Sequence, residues 1–328
     1  MLFGGVENLA GFGIFLPFAF RVLLSHEPLL AYEEEIEPPA GLVRIGQREI
    51  QRPGQSCEWL RPCRRRSHLS AMALAISPIQ SKGLAMQAPV RIAMWSGPRN
   101  ISTAMMRAWG NRDDTFVVDE PFYAYYLKKT GTDHPGAEEV IAAAATDWRK
   151  IVAHLTGPIP NGARIFYQKQ MTHHLLPEVS RDWLRDVTNC FLIRDPGEVI
   201  ASYIKKNREP TVEDVGFVQQ GEIFDFVRSQ TGAAPSVIDA DDVLRDPERM
   251  LRLLCDAIGV EFTAAMLSWS PGPRETDGVW AKYWYAEVER STSFAPYHER
   301  KIDLPKSLHE LHDRCRECYD RLYQHRLH

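Results

Sequence analysis

The sequence predicts an α/β fold in which a mainly parallel sheet is covered by helices on both faces. Three observations point there. From Val90 onward, five short apolar segments each run into a polar turn and then a helical pattern. The apolar share of 44% and the charged share of 25% are those of an ordinary soluble globular chain. The stretch before about residue 88 shows no such alternation. The 328 residues could hold one large domain or two small ones, and length alone leans slightly to two. The expected organisation is an extension over 1–88 and one α/β domain over 89–328.

The extension has little that would pack. Ala10 to Leu24 is apolar but short, and Pro17 and Arg21 interrupt it. That is too short for a membrane span, and the basic start of a secretion signal is missing. Glu33, Glu34 and Glu35 follow, then "QRPGQSCEWLRPCRRRSHLS", rich in Arg, Pro and Ser. Such composition favours a poorly ordered segment. Met72 and Met86 lie just ahead of the first strand, so an overlong gene start is the other expectation for 1–88.

The strands follow in order. "VRIAMW" is the first, "TFVVDE" the second, "ARIFYQ" the third, "NCFLIR" the fourth and "PSVIDA" the fifth. Each is short, apolar and rich in β-formers. Asp246-Pro247 starts a helix well, with Asp as cap and Pro in the first turn. That helix stops at Gly259. "LPKSLHELHDRCRECYDRLYQHR" reads as a final amphipathic helix. Cys315 and Cys318 fall inside it with no second pair nearby, which favours two thiols in a reducing compartment over a metal or redox site. The expected location is cytoplasmic. The formal charge of −4 argues against a general nucleic-acid binder.

The chemistry centres on "IAMWSGPRNISTAMMRAW", Ile92 to Trp109. Ligands of an open parallel sheet bind beyond the carboxyl ends of its strands. A helix starting near Ser102 offers unpaired N–H groups and a positive dipole end, a ready anion site. Gly97 tightens the turn, Arg99 brings a planar fork of donors, and Ser102 and Thr103 either cap the helix or bind a phosphate oxygen. An ATP-type loop wants G-x-x-x-x-G-K-[ST]. Here the second Gly and the Lys are absent.

The order Pro98, Arg99, turn, Ser102, Thr103 resembles the 5′-phosphosulfate loop of sulfotransferases. Arg99 stands where many members carry Lys, and Ile101 where Gly is common. A second segment, "CFLIRDPGEVIASY", strengthens the resemblance: Arg194 closes a strand, Asp195-Pro196 opens a helix and Ser202 sits on it. "VIDADDVLRDPERMLRLLCDAIGVEF" is a weaker third echo, so the likeness covers roughly Val90 to Phe262. It implies a three-layer P-loop-type domain that uses 3′-phosphoadenosine 5′-phosphosulfate as donor, needs no metal, and sulfates a hydroxyl or amine of a small-molecule acceptor. Gly97, Pro98, Arg99, Asn100, Ser102 and Thr103 would form the 5′ side of the donor site, and Arg194 and Ser202 would grip the 3′-phosphate. The family's Gly-rich clamp is missing, and "VERSTSFAP" is the candidate for that work.

Sulfuryl transfer needs a base for the acceptor proton and cations for the departing phosphate oxygen. Arg99 is the cation at the loop. Glu120, ending the second strand, matches the base of one branch of the family; otherwise it caps the helix that Pro121 begins. In another branch the base is a His after the third strand, where "YQKQMTHHLLP" offers His173 and His174. Lys169 either faces the phosphosulfate or is a solvated lysine. The His pair has no third ligand at diagnostic spacing. Trp95, Trp109, Phe122, Tyr123, Tyr125 and Tyr126 crowd the region and are core in most such settings, with an acceptor or adenine platform as the other use. Two readings compete with sulfuryl transfer: a kinase or NTPase with Asp119 on magnesium and Glu120 as base, and a nucleotide-binding module without turnover. Acceptor identity and oligomeric state are not legible.

Overall fold

The computed structural model describes residues 88–205 and 210–328. The expectations for the N-terminal extension therefore lie outside the described residues. The described chain contains five strands, β1 (Val90–Ser96), β2 (Thr115–Asp119), β3 (Ile165–Met171), β4 (Thr188–Ile193) and β5 (Ser236–Asp239). They form one sheet in the order β2-β3-β1-β4-β5, and every pairing is parallel. The helices that cover it are α1 (Ser102–Gly110), α2 (Tyr123–Thr130), α3 (Ala137–Ala143), α4 (Trp148–Thr156), α5 (Pro196–Tyr203), α6 (Val212–Val215), α7 (Phe217–Thr231), α8 (Ala240–Arg245), α9 (Pro247–Ala257), α10 (Ala281–Trp284), α11 (Ala286–Arg290) and α12 (His309–Tyr323).

Side chains of a strand alternate between faces, and here both faces are apolar. Ile92 and Met94 of β1, Ile165 and Tyr167 of β3, and Cys190 and Leu192 of β4 pack on one side with α1, α2 and α9. Ala93 and Trp95, Phe166, and Phe191 and Ile193 pack on the other with α4, α5, α7 and α12. The result is three layers, helices on each side of the sheet, as the near-continuous apolar strands require. Trp95, Trp109, Phe122, Tyr123, Tyr125 and Tyr126 are all buried.

Two local features aim the site. The strand order reverses at β1, which has β3 on one side and β4 on the other; a crevice opens beyond the strand ends at such a point. On β2 and β3 the register sets Asp119 beside Lys169. Both lie two residues beyond members of the α1-side cluster, Val117 and Tyr167, and so share their face. Among the described residues no helix is long and apolar enough to cross a membrane.

Cys315 is buried and Cys318 half-buried on α12, both as free thiols. Among the described residues no group of three or more His, Cys, Asp or Glu is placed to hold a metal ion.

Candidate active site

A cleft of about 730 Å³ lies at the carboxyl ends of β1, β2, β3 and β4. It collects Pro98, Arg99, Asn100, Ser102, Thr103, Glu120, Lys169, His173, His174, Arg194 and Ser202 into one cavity wall. Gly97 sits just behind the wall. A Cβ there would come 2.8 Å from the Val215 carbonyl oxygen, so the loop's first position has room for hydrogen only.

The β1–α1 loop is shaped for an anion. Ile101 is the N-cap of α1, with no side-chain hydrogen bond to the helix and no acidic residue in the first turn. Neither Ser102 nor Thr103 caps it, so the positive end of α1 is left for a ligand. The left-handed residue of the loop is Arg99, at φ 55°, whereas Ile101 sits at φ −85°, where a β-branched side chain is unstrained. Asn100 ties the loop to β4 by donating from Nδ2 to the Leu192 carbonyl at 3.0 Å. Buried Gln220 of α7 holds the same strand ends, donating to the Trp95 and Leu192 carbonyls at 3.1 Å each.

Arg99 and Ser202 meet directly, Nε donating to Oγ at 3.0 Å. Arg194 is more committed than its sequence suggests. Its Nε and Nη2 both donate to Glu198 Oε2, at 2.9 and 2.6 Å, and Nη1 donates to the Arg99 carbonyl at 2.6 Å. Glu198 is four residues on, in the first turn of α5. Arg194 thus braces the left-handed residue of the phosphate loop while facing the cleft. Burial, with the neighbouring Arg194 charge adding to it, lowers the Arg99 pKa from its usual value. Two guanidinium groups this close call for an anion between or beside them.

The other end of the cleft is a closed network. Lys169 is 1% exposed. Its Nζ donates to Asp119 Oδ1 at 2.8 Å, to Tyr285 Oη at 2.7 Å and to Glu120 Oε1. These three acceptors use all the ammonium hydrogens. The solvated-lysine expectation is therefore wrong, and the ammonium is turned to the carboxylates instead of outward to a phosphosulfate. Burial opposes the charge on Lys169, but Asp119 and Glu120 outweigh it and raise its pKa well above the ordinary value. Tyr285 Oη in turn donates to Asp119 Oδ2 at 2.6 Å.

Glu120 does not cap α2; the N-cap there is Phe122, with no side-chain bond. At φ 41° Glu120 takes a left-handed backbone that costs a non-glycine residue energy. Its Oε1 is held by Lys169, and its Oε2 lies 3.9 Å from His174 Nδ1, beyond hydrogen-bond reach. Burial raises the Glu120 pKa, and the pull of Lys169 does not cancel it.

The two histidines move the other way. Burial lowers His173 to about 4 and His174 well below its usual value. Both Nδ1 atoms are buried without a partner. His174 is stacked between Tyr123 and Tyr126, with ring centroids at 4.8 and 4.7 Å.

Several cleft groups have no sequence signal. His134 reaches in from the α2–α3 turn, its Nδ1 2.9 Å from Tyr123 Oη. Trp284, Tyr285 and Arg300 come from the segment between β5 and α12. Arg290 and Ser291 to Pro296 of "VERSTSFAP", the segment the sequence did single out, line the same wall. Glu198 was readable only as an i, i+4 partner of Arg194.

A family profile described as a sulfotransferase domain matches residues 90–307. Among curated proteins, the chain is 35% identical over 241 residues to "Branched-chain-amino-acid aminotransferase-like protein 1" of Arabidopsis thaliana, covering 73% of this chain and 43% of that protein. It is 32% identical over 237 residues to the corresponding protein 2 of the same plant, covering 72% and 42%. The chain thus spans less than half the length of the curated relatives it matches. Among solved structures, the "Sulfotransferase Domain from the Curacin Biosynthetic Pathway" aligns with a TM-score of 0.46 and 18% identity, over 70% of this chain and 96% of that one. With the profile covering well over half of the sequence, the chain belongs to the sulfotransferase domain family.

Proposed function

We propose that the unit over residues 89–328 is a sulfotransferase that moves a sulfuryl group from 3′-phosphoadenosine 5′-phosphosulfate to a hydroxyl or amine of a small acceptor. The observation that carries this reading is one cleft with two unlike ends: an uncapped helix N-terminus flanked by Arg99, Arg194 and Ser202, and a half-buried carboxylate with one oxygen left open. The first end suits the phosphates of the donor. Arg99, Ser102, Thr103 and the first N–H groups of α1 take the 5′ side, with Gly97, Pro98 and Asn100 shaping the loop. Ser202 and Arg194 take the 3′-phosphate, releasing the Arg99–Ser202 bond as they do. Ser291 to Ser293 and Arg300 line the far wall, where a donor clamp is needed.

The donor brings an activated sulfuryl group and leaves as adenosine 3′,5′-bisphosphate. For a hydroxyl acceptor, Glu120 Oε2 takes the proton as the oxygen–sulfur bond forms. The bond from sulfur to the 5′-phosphate oxygen breaks and its electron pair stays on that oxygen. Arg99 and the positive end of α1 settle the charge that develops there. Glu120 is the base in preference to either histidine because burial shifts them in opposite senses. It raises the proton affinity of Glu120 and lowers that of both histidines. The histidines are neutral, and their rings form part of the cleft wall beside Glu120.

The kinase alternative loses its metal ligand, since Lys169 and Tyr285 occupy both oxygens of Asp119. The aminotransferase in the relatives' names asks for a lysine amine free to form an imine. Lys169, the one lysine on the cleft wall among the described residues, is a buried ammonium with three acceptors.

A thermal-shift series tests the donor. Adenosine 3′,5′-bisphosphate is expected to stabilise the protein more than AMP does, with or without magnesium, because a ligand that binds only the folded state raises its stability. Equal shifts for the two nucleotides, or a strict magnesium requirement, would overturn the assignment. Donor-product binding with no turnover on a panel of alcohols, phenols and amines would favour the binding-module reading.

A further inference from the structure

Tyr285 is separated by more than a hundred residues from the strands it touches, yet its hydroxyl closes a ring of polar contacts under Glu120. It donates to Asp119 Oδ2 at 2.6 Å and accepts from Lys169 Nζ at 2.7 Å, while the same ammonium holds Asp119 Oδ1 and Glu120 Oε1. A buried network in which every donor is spent transmits a change at one member to the others. The ammonium is the shared element. What Asp119 takes of its charge, Glu120 loses.

We propose that Tyr285 and Asp119 are positioning residues that set the proton affinity of Glu120 through the Lys169 ammonium. The inference rests on the reading of Glu120 as the proton acceptor. The ring fixes Oε1 and points Oε2 to the cleft, so that one oxygen of defined orientation receives the proton. The Tyr285 hydroxyl neutralises part of the Asp119 charge. Without it, Asp119 draws the ammonium harder and repels Glu120 more. Burial keeps the Tyr285 hydroxyl protonated, aided by the Asp119 charge, so it serves as a donor throughout the working range.

The segment that carries Tyr285 has its own anchor. Arg107 of α1 grips both oxygens of Asp277, at 2.5 and 2.7 Å, with the two side chains 2% and 4% exposed. Asp277 also accepts from the Arg274 backbone N–H at 2.8 Å. Removing one hydroxyl at 285 therefore leaves the segment seated, and its effect on Glu120 is separable from a loss of fold.

The charged and titratable groups facing Glu120 are Asp119 on its own strand, Lys169 of β3, His174 just past β3, Tyr123 of α2, and Tyr285. Of these, only the two proposed residues are changed in the test. Carbon-detected NMR of protein labelled at glutamate carboxyls follows the Glu120 titration, with Glu120→Gln assigning the signal. Asp119→Asn removes the competing charge and is expected to lower the midpoint by about one unit or more. Tyr285→Phe is expected to raise it by about half a unit. Opposite directions are the signature, because general loosening of the site would move both the same way. A midpoint unmoved in both variants, or moved in the same direction, overturns the proposal. Should Tyr285→Phe fail to fold, Asp119→Asn alone still decides: a fall supports the role of Asp119, and an unmoved midpoint overturns it. The readout needs no acceptor. If the midpoints move as expected while Glu120→Gln retains full turnover, the ring stands and the assignment of the base fails.

Discussion

The two ends of the cleft are built on opposite principles. At the phosphate end the polar groups are only partly committed: α1 has no cap, and Arg99 is held by one hydroxyl, Ser202. At the acid–base end the charged groups are spent on one another, though the buried Nδ1 atoms of His173 and His174 lack partners. Lys169, Asp119 and Tyr285 satisfy one another, and Glu120 keeps a single open oxygen. The difference follows from what each end must do. A dianionic phosphate brings its own charge and needs donors waiting for it. A base needs a fixed position and a tuned proton affinity before any substrate arrives, which only a dry and fully bonded surround supplies.

Deleting the ammonium strikes the closed end hardest. Lys169→Met leaves Asp119 and Glu120 buried without a counter-charge, and is expected to cost about 3–5 kcal/mol at neutral pH. The sign with pH follows from linkage. Carboxyls whose folded pKa is raised add stability below their unfolded values and lose it as pH rises through the folded value. The penalty should therefore shrink towards pH 4, and urea denaturation across that range measures it. A variant as stable as the wild type at neutral pH would show that the network is not closed.

Glu120→Gln keeps the shape and the Lys169 contact but removes the proton acceptor. Turnover should fall by roughly 100-fold or more, with adenosine 3′,5′-bisphosphate binding retained. His173→Ala and His174→Ala belong in the same assay. A dead histidine variant beside a fully active Glu120→Gln would move the base to the segment after β3.

Arg194→Ala probes the end that is only partly committed, and its effect is the smallest. Donor-product affinity should weaken by about 1.5–3 kcal/mol, the scale of a charge-assisted hydrogen bond. Read from sequence, this change would leave folding alone. The structure alters that expectation, because Glu198 loses its nearest cation and the next, Arg300 Nη1, is 4.0 Å away. A modest loss of thermal stability should accompany the loss of affinity, and Arg194→Ala combined with Glu198→Gln should recover stability without recovering binding. Calorimetry and a melting curve separate the two.

The sequence by itself determined the five strands, their parallel arrangement and the loop after β1. These are local matters: alternating strand and helix periods, a glycine turn, and an Asp-Pro helix start at α5 and at α9 are written in neighbouring residues. It also named the three candidate bases, Glu120, His173 and His174, and both arginines, because strand ends fall where apolar runs stop. Only the tertiary structure decided their states. Lys169 is buried and not solvated, because the β2–β3 register sets it beside Asp119 and Tyr285 arrives from a distant segment. Arg194 is half-spent on Glu198, and Arg99, not Ile101, takes the left-handed backbone of the loop. His134 enters from a turn with no motif at all. Each of these depends on which groups a buried charge finds within about 3 Å, and that distance is set by how layers pack, not by the order of residues along the chain.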